Sequence, residues 1–131
     1  MRQLIRHRPD PIKSVIGATL GRDWLYEMRI GTDGVMTGGA MYADVYTSLW
    51  ELHQAGREDA VRDAFSKLLL MLNLDRSIPG VRVYVLQKRG IFTTTKSRRG
   101  KYEFTDEEIA EIDYRLATLA PCLKEGEGAH R

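Results

Sequence analysis

The sequence predicts an α/β fold in which a short parallel β-α-β unit leads into a mostly helical remainder. Three observations carry that assignment. Two short apolar runs, Ser14-Val15-Ile16-Gly17 and Gly34-Val35-Met36-Thr37-Gly38, read as strands bounded by turn residues. Between them Trp24, Leu25 and Met28 recur at helical spacing up to Gly31. Beyond Gly38 the apolar period is helical and no further strand is expected. Two strands joined through a helix are normally parallel neighbours with a right-handed crossover.

The helical elements follow in order. Met41, Val45, Leu49 and Leu52 form a stripe up to Gly56, a C′ residue where the left-handed conformation costs little. A second helix over 57–74 carries Val61, Phe65, Leu68, Leu69 and Leu72, and the additional Leu70 and Met71 predict burial on more than one side. Pro79 suits the first turn of a third helix carrying Val83 and Leu86 and ending near Gly90. A polar, basic connector, IFTTTKSRRGKYEF, separates it from a last helix. That helix has the clearest start in the chain. Thr105 is its N-cap, Glu108 completes a capping box, and Phe104 is placed to staple against Ile109. Ile109, Ile112, Leu116 and Leu119 form its apolar stripe, Pro121 stops it, and residues 121–131 form a frayed tail.

Composition excludes several classes of function. With 131 residues, 43 % hydrophobic and 29 % charged, the chain fits one globular domain. Its 20 Lys and Arg are nearly balanced by 18 Asp and Glu, so nucleic acid is not an expected partner. A lone Cys122 rules out an internal disulfide framework and a multi-cysteine zinc site, and it fits a reducing, cytoplasmic setting. No run approaches the roughly 20 apolar residues that a membrane span needs, so neither a membrane partner nor a signal peptide is expected.

The two strands pose a problem by themselves. Parallel strands are usually buried on both faces within larger sheets, and a pair with two free edges is an incomplete unit. The run SVIGATLGRDWLYEMRIGTDGVMTGGAMYADVYTSLWELHQAG, followed by GREDAVRDAF and by VLQKRGIFTTTKSRR, resembles the C-terminal part of the dihydrodipicolinate synthase and N-acetylneuraminate lyase family. The likeness covers about residues 1–120. Its most specific part is GTDGVMTG, similar to the family's glycine-flanked last barrel strand, preceded at the right distance by a strand ending in Gly17. The resemblance implies a C-terminal fragment of a TIM (β/α)8 barrel, a fold of typically ~250 residues. On it, residues 1–56 hold the last β-α-β-α portion and residues 57–120 a helical extension.

The same resemblance implies class I aldolase or lyase chemistry. In the family a lysine on the sixth strand forms a Schiff base with pyruvate or another 2-oxo acid, and a tyrosine on the fifth strand shuttles protons. No further cofactor is implied. Neither residue has a counterpart here, so no catalytic residue is assigned. Lys13 is the one lysine that touches a strand, but it precedes Ser14-Val15-Ile16, whereas barrel chemistry occurs at the C-terminal strand ends. Only 20 residues separate it from Gly34, enough for one crossover and not two. What the resemblance leaves to this chain is a wall of the substrate pocket: Gly17 at the end of the first strand, and Met36 and Thr37 on the second. Assembly with copies of itself or with the missing barrel half is implied as well.

Other constellations carry less. His7, His53 and His130 lie far apart with no carboxylate or cysteine at ligand spacing, so no metal site is expected. Gly34, Gly38 and Gly39 lack the lysine and hydroxyl that follow the last glycine of a phosphate loop. Lys96, Arg98, Arg99 and Lys101 form the one basic cluster, without an aromatic platform beyond Tyr102. Three readings therefore stand: the C-terminal part of a 2-oxo acid aldolase or lyase that is inactive alone, one chain of a split enzyme completed by a partner, or a small helical binding module using the connector 96–101.

Overall fold

The computed structural model describes residues 1–98 and 100–123. Its order is α1 (Arg2–Arg6), β1 (Ile16–Gly17), α2 (Trp24–Arg29), β2 (Gly34–Val35), α3 (Ala43–Gln54), α4 (Glu58–Ser77), α5 (Val81–Lys88), β3 (Lys96–Ser97), β4 (Gly100–Lys101) and α6 (Asp106–Thr118). Short 3-10 turns cover Thr19–Gly21, Ala40–Tyr42 and Ala120–Cys122.

The β-α-β unit forms as the sequence predicts, with shorter strands. β1 and β2 are parallel, with Ile16 opposite Gly34 and Gly17 opposite Val35. Both ends of the pairing are extended by single bonds, Asp33 N–H to Val15 O at 2.9 Å and Met36 N–H to Gly17 O at 2.8 Å. Asp33 pins the N-terminal end a second time, its carboxylate accepting Val15 N–H at 2.7 Å and Arg8 at 2.6 Å. Those bonds, led by the one from Val15, hold the Asp33 carboxyl below its ordinary range.

The helices α2 to α6 share one core. Trp24 and Met28 of α2 meet Val45 and Leu49 of α3, Val61, Leu68 and Met71 of α4, Val85 of α5 and Ile112 of α6. Each of these large side chains contributes about 1.5–3 kcal/mol on burial. Trp24 stacks on Trp50, with ring centroids 6.0 Å apart and planes at 9°. Core residues come from both sides of residue 56, so the strand unit and the helical extension are packed as one body.

Several details differ from the sequence expectation. α4 runs to Ser77 because Asn73 to Ser77 continue its hydrogen bonding, and Leu74 is buried with the rest of its stripe. Leu70 is exposed, whereas Met71 is buried. Pro79 stands before α5 and not in its first turn. Gly80, at φ 87, is the residue that turns the chain, and the Tyr102 ring sits where a β-carbon there would be, 2.3 Å away. α5 accordingly buries Val81 and Val85 in place of Val83 and Leu86. The basic connector is not structureless: β3 and β4 form a two-residue antiparallel ladder, closed by Ser97 Oγ donating to Gly100 O at 3.0 Å.

The capping box on α6 is present in full. Glu108 N–H donates to Thr105 Oγ1 at 3.2 Å, and Thr105 N–H donates to Glu108 Oε2 at 2.9 Å. Phe104 places its ring edge-on to Tyr84, 5.3 Å between centroids. Pro121 belongs to the 3-10 turn after α6, where the Ser48 hydroxyl donates to Cys122 O at 3.3 Å. The remainder of the expected frayed tail lies outside the described residues.

Candidate functional site

Gly17 ends β1 and is buried. A β-carbon on it would come within 1.8 Å of Glu27 Oε2, so the residue at 17 must be glycine for the Glu27 carboxyl to sit where it does. Strand alternation then sorts the neighbours. Val15 and the missing side-chain position of Gly17 face the helical layer. Ile16 points the other way and is 53 % exposed. Met36, one residue past β2, is 69 % exposed, while Val35 packs against the core. Two of the three predicted pocket residues are thus joined directly, Gly17 and Met36 by their backbone bond. Thr37 follows half-buried.

The turn after β1 was not legible as special. Thr19 and Leu20 have φ of 58° and 57°, and Gly21 continues in the same region at 74°. For non-glycine residues this costs roughly 1–2 kcal/mol each, and a β-branched threonine there is uncommon. Backbone and side-chain bonds together hold the turn. Gly21 N–H donates to Ala18 O at 3.0 Å and Arg22 N–H to Thr19 O at 3.2 Å. The Thr19 hydroxyl donates to Asp23 at 3.0 Å, and the Tyr46 hydroxyl donates to Leu20 O at 2.8 Å. Burial pushes the Tyr46 hydroxyl up to about 12, so it remains a donor. Leu20 in turn reaches across to the loop after β2: its Cδ2 lies 2.3 Å from where a β-carbon on Gly38 would be. The loops that follow the two strands are therefore interlocked.

Glu27 is the buried titratable group of this region, 6 % exposed. Burial, and next the charge of Asp23, raise its carboxyl above the ordinary range, opposed by a hydrogen bond from the Ala18 backbone. Its Oε2 has no partner among the described residues. Sequence reasoning missed Glu27 because a lone glutamate on a short helix reads as solvated; the only clue was its place on the same face as Trp24 and Met28.

The helical extension grips the loop after β2 through Arg82 of α5 and Arg89, the residue that follows the helix. Arg82 donates to Asp75 Oδ2 from Nε at 2.8 Å and from Nη2 at 2.5 Å, and from Nη1 to Gly38 O at 3.3 Å. Arg89 donates to Met41 O and pairs with the Asp44 carboxylate, Nη2 to Oδ2, at 2.5 Å. A cleft of about 230 Å³ opens beside Arg82, lined by Asp75, Ile78, Gly80 and Tyr102. A second, of about 270 Å³, runs along β2 between Trp24, Asp33, Val35, Tyr46 and Trp50.

Lys13 is exposed at the opposite, N-terminal end of β1, where its carbonyl accepts Arg8 at 3.0 Å. Lys96, Arg98 and Lys101 are exposed on the β3–β4 hairpin; Arg99 lies outside the described residues. His53 lies against Trp50, with centroids 5.8 Å apart, and His130 is outside the described residues. Among the described residues no group of three or more His, Cys, Asp or Glu is placed to hold a metal ion, and no helix is long and apolar enough to cross a membrane.

No protein-family model matches this chain, and no curated protein matches it. Among solved structures it is similar to the crystal structure of dihydrodipicolinate synthase from Rhodopseudomonas palustris, with 31 % sequence identity and a TM-score of 0.68 over 81 % of this chain. The chain spans 36 % of the length of that synthase. At the level of fold, these residues are similar to part of a dihydrodipicolinate synthase chain, and the likeness supports an aldolase-like family.

Proposed function

We propose that this chain supplies the seventh and eighth strands and the helical extension of a (β/α)8-barrel aldolase or lyase acting on pyruvate or a related 2-oxo acid. The observation that carries the reading is the two-sidedness of the β1–β2 pair: helices cover one face, while Ile16 and Met36 stand exposed on the other. In a barrel that second face is the packed interior. The family resemblance implies a Schiff-base lysine on the sixth strand and a proton-shuttling tyrosine on the fifth, and in this reading those strands come from outside these 131 residues. Gly17, Met36 and Thr37 then stand together at the C-terminal strand ends, where Met36 presents its side chain on that face and Gly17 contributes its backbone. The lysine would attack the 2-oxo carbon as the neutral amine, lose water to give the imine, and draw its reactivity from a desolvated position.

A chimera tests this. Residues 1–123 replace the structurally equivalent segment of the Rhodopseudomonas palustris synthase, and the folded product is treated with pyruvate and borohydride. The expected result is one covalent adduct per chimera on a lysine of the synthase portion, and none on the 131-residue chain alone. A folded chimera that captures no pyruvate, or a stoichiometric adduct on Lys13 of the isolated chain, overturns the proposal.

A further inference from the structure

Met36 and Thr37, at the end of β2, lie between two fixed backbone points. On one side the Met36 N–H donates to Gly17 O of β1 at 2.8 Å. On the other the Gly38 carbonyl accepts Arg82 Nη1 at 3.3 Å. Arg82 belongs to α5, in the helical extension, and not to the β-α-β unit. Gly38 has no room for a side chain between its two neighbours. A β-carbon there would lie 2.3 Å from Leu20 Cδ2, of the turn after β1, and 3.6 Å from Arg82 Nη1.

Arg82 does not reach Gly38 as a free side chain. Its Nε and Nη2 both donate to Asp75 Oδ2 of α4, at 2.8 and 2.5 Å, and the Asp75 side chain is only 15 % exposed. Two donors on one carboxylate fix the plane of the guanidinium, so the remaining nitrogen, rigid in that plane, is aimed at the carbonyl. A partly exposed ion pair between two helices contributes little by itself, and a lysine would serve it. The third bond is what calls for arginine. Arg89 repeats the arrangement further along the same segment. It donates from Nη1 to Met41 O while its guanidinium meets the Asp44 carboxylate, Nη1 to Oδ1 at 3.1 Å and Nη2 to Oδ2 at 2.5 Å. The backbone that leads from β2 into α3 is thus held at two carbonyls, each by an arginine that a carboxylate orients.

We infer that Arg82 is a positioning residue for the end of β2: aimed by Asp75, it holds the Gly38 carbonyl and so sets the place of Met36 and Thr37 from the helical extension. The inference deepens the 2-oxo acid reading proposed above and rests on it for its meaning, but its test is made without pyruvate.

The test is residue-resolved amide exchange by NMR on the intact chain, read at Met36 and at Leu68 in α4. Arg82→Ala frees the Gly38 carbonyl, and exchange at Met36 accelerates about tenfold while Leu68 keeps its wild-type rate. Arg82→Lys separates the two roles of the side chain. It keeps a positive charge beside Asp75 and loses the planar fork, so Met36 exchanges within about twofold of its rate in the alanine variant. An arginine that served only as the partner of Asp75 would be replaced by lysine without effect, so a wild-type Met36 rate in Arg82→Lys overturns the inference. An unchanged Met36 rate in Arg82→Ala does so as well. If the alanine variant loosens the whole chain, so that Leu68 accelerates too, the lysine variant decides: Met36 must then accelerate alone, and a rise only in step with Leu68 overturns the inference. A chimera that fails to capture pyruvate would sink the proposed function and leave this result standing, since the two are read on different proteins.

Discussion

The Tyr46 hydroxyl on α3 donates to the Leu20 carbonyl at 2.8 Å, and the bond ties the turn after β1 to the helix after β2. The ring occupies the space beside Gly21, where a β-carbon would lie 2.7 Å from Cε1. Tyr46→Phe keeps that packing and removes only the donor, leaving a carbonyl in a strained turn without its partner. We expect a loss of about 1–2 kcal/mol in urea unfolding, with accelerated exchange confined to residues 18–22. An unchanged midpoint and unchanged exchange would show that the turn is held by its other bonds alone.

Thr19 offers the complementary experiment. It is exposed, β-branched and left-handed at φ 58°, so its conformation costs energy that its surroundings must offset. Asparagine tolerates this region far better and keeps a polar side chain near Asp23. Thr19→Asn should be neutral to stabilising by up to ~1 kcal/mol, read as an upward shift of Tm. A clear loss of stability would mean that the threonine hydroxyl bonds to Ala18 O and Asp23 outweigh the backbone strain.

Glu27 gives a pH dependence whose sign can be worked out. Its folded-state carboxyl is raised above the ordinary value of 4.5, by burial first and by Asp23 second. Between the unfolded and the folded value the native state binds more protons, so this group's favourable contribution is complete below about 4.5 and is lost as pH rises through the folded value. Glu27→Gln does not titrate. The difference in Tm between Glu27→Gln and wild type should therefore move in favour of the variant between pH 4 and pH 7. A difference that is flat across that range would place the Glu27 carboxyl in a solvated environment.

How much of this was legible depended on whether the signal was local. The capping box of Thr105 and Glu108 is written in four consecutive residues and formed as read, so Thr105→Ala should cost about 1 kcal/mol, measured as a lower unfolding midpoint. The β-α-β order was likewise carried by local runs, and the parallel sense of the pair followed from its single helical crossover, whereas the register of Ile16 opposite Gly34 was not legible. The α5 face could not be read in the same way: Val81, Val83, Val85 and Leu86 are apolar on more than one side, and tertiary contacts, Tyr102 against Gly80 and Arg82 with Asp75 among them, accompany the inward turn of Val81 and Val85. The site was half legible for the same reason. Gly17 announced itself as a strand-end glycine, but the reason for it, the Glu27 carboxyl ten residues on, is a tertiary contact without a sequence motif.

The last prediction concerns the uncovered face of the sheet. Ile16 and Met36 present apolar side chains on the side away from the helices, and among the described residues β1 and β2 each keep one unpaired edge. Val15 and Val35 do not share that exposure, because alternation turns them to the helical layer, where Val15 is buried and Val35 packs against the core. A bare sheet edge beside exposed apolar groups is a template for association. The purified 131-residue chain should self-associate, and Ile16→Lys combined with Met36→Lys should shift it toward monomer in analytical ultracentrifugation without lowering its helix content. Amide exchange over 13–38 should be faster than over 57–74, since α4 is a long hydrogen-bonded helix with a continuous buried stripe while the strand pair is two residues long and covered on one face. A wild-type chain that sediments as a monodisperse monomer, with β1 and β2 as well protected as α4, would mean that the exposed face needs no cover, and the physical argument for placing these strands inside a larger barrel would fall with it.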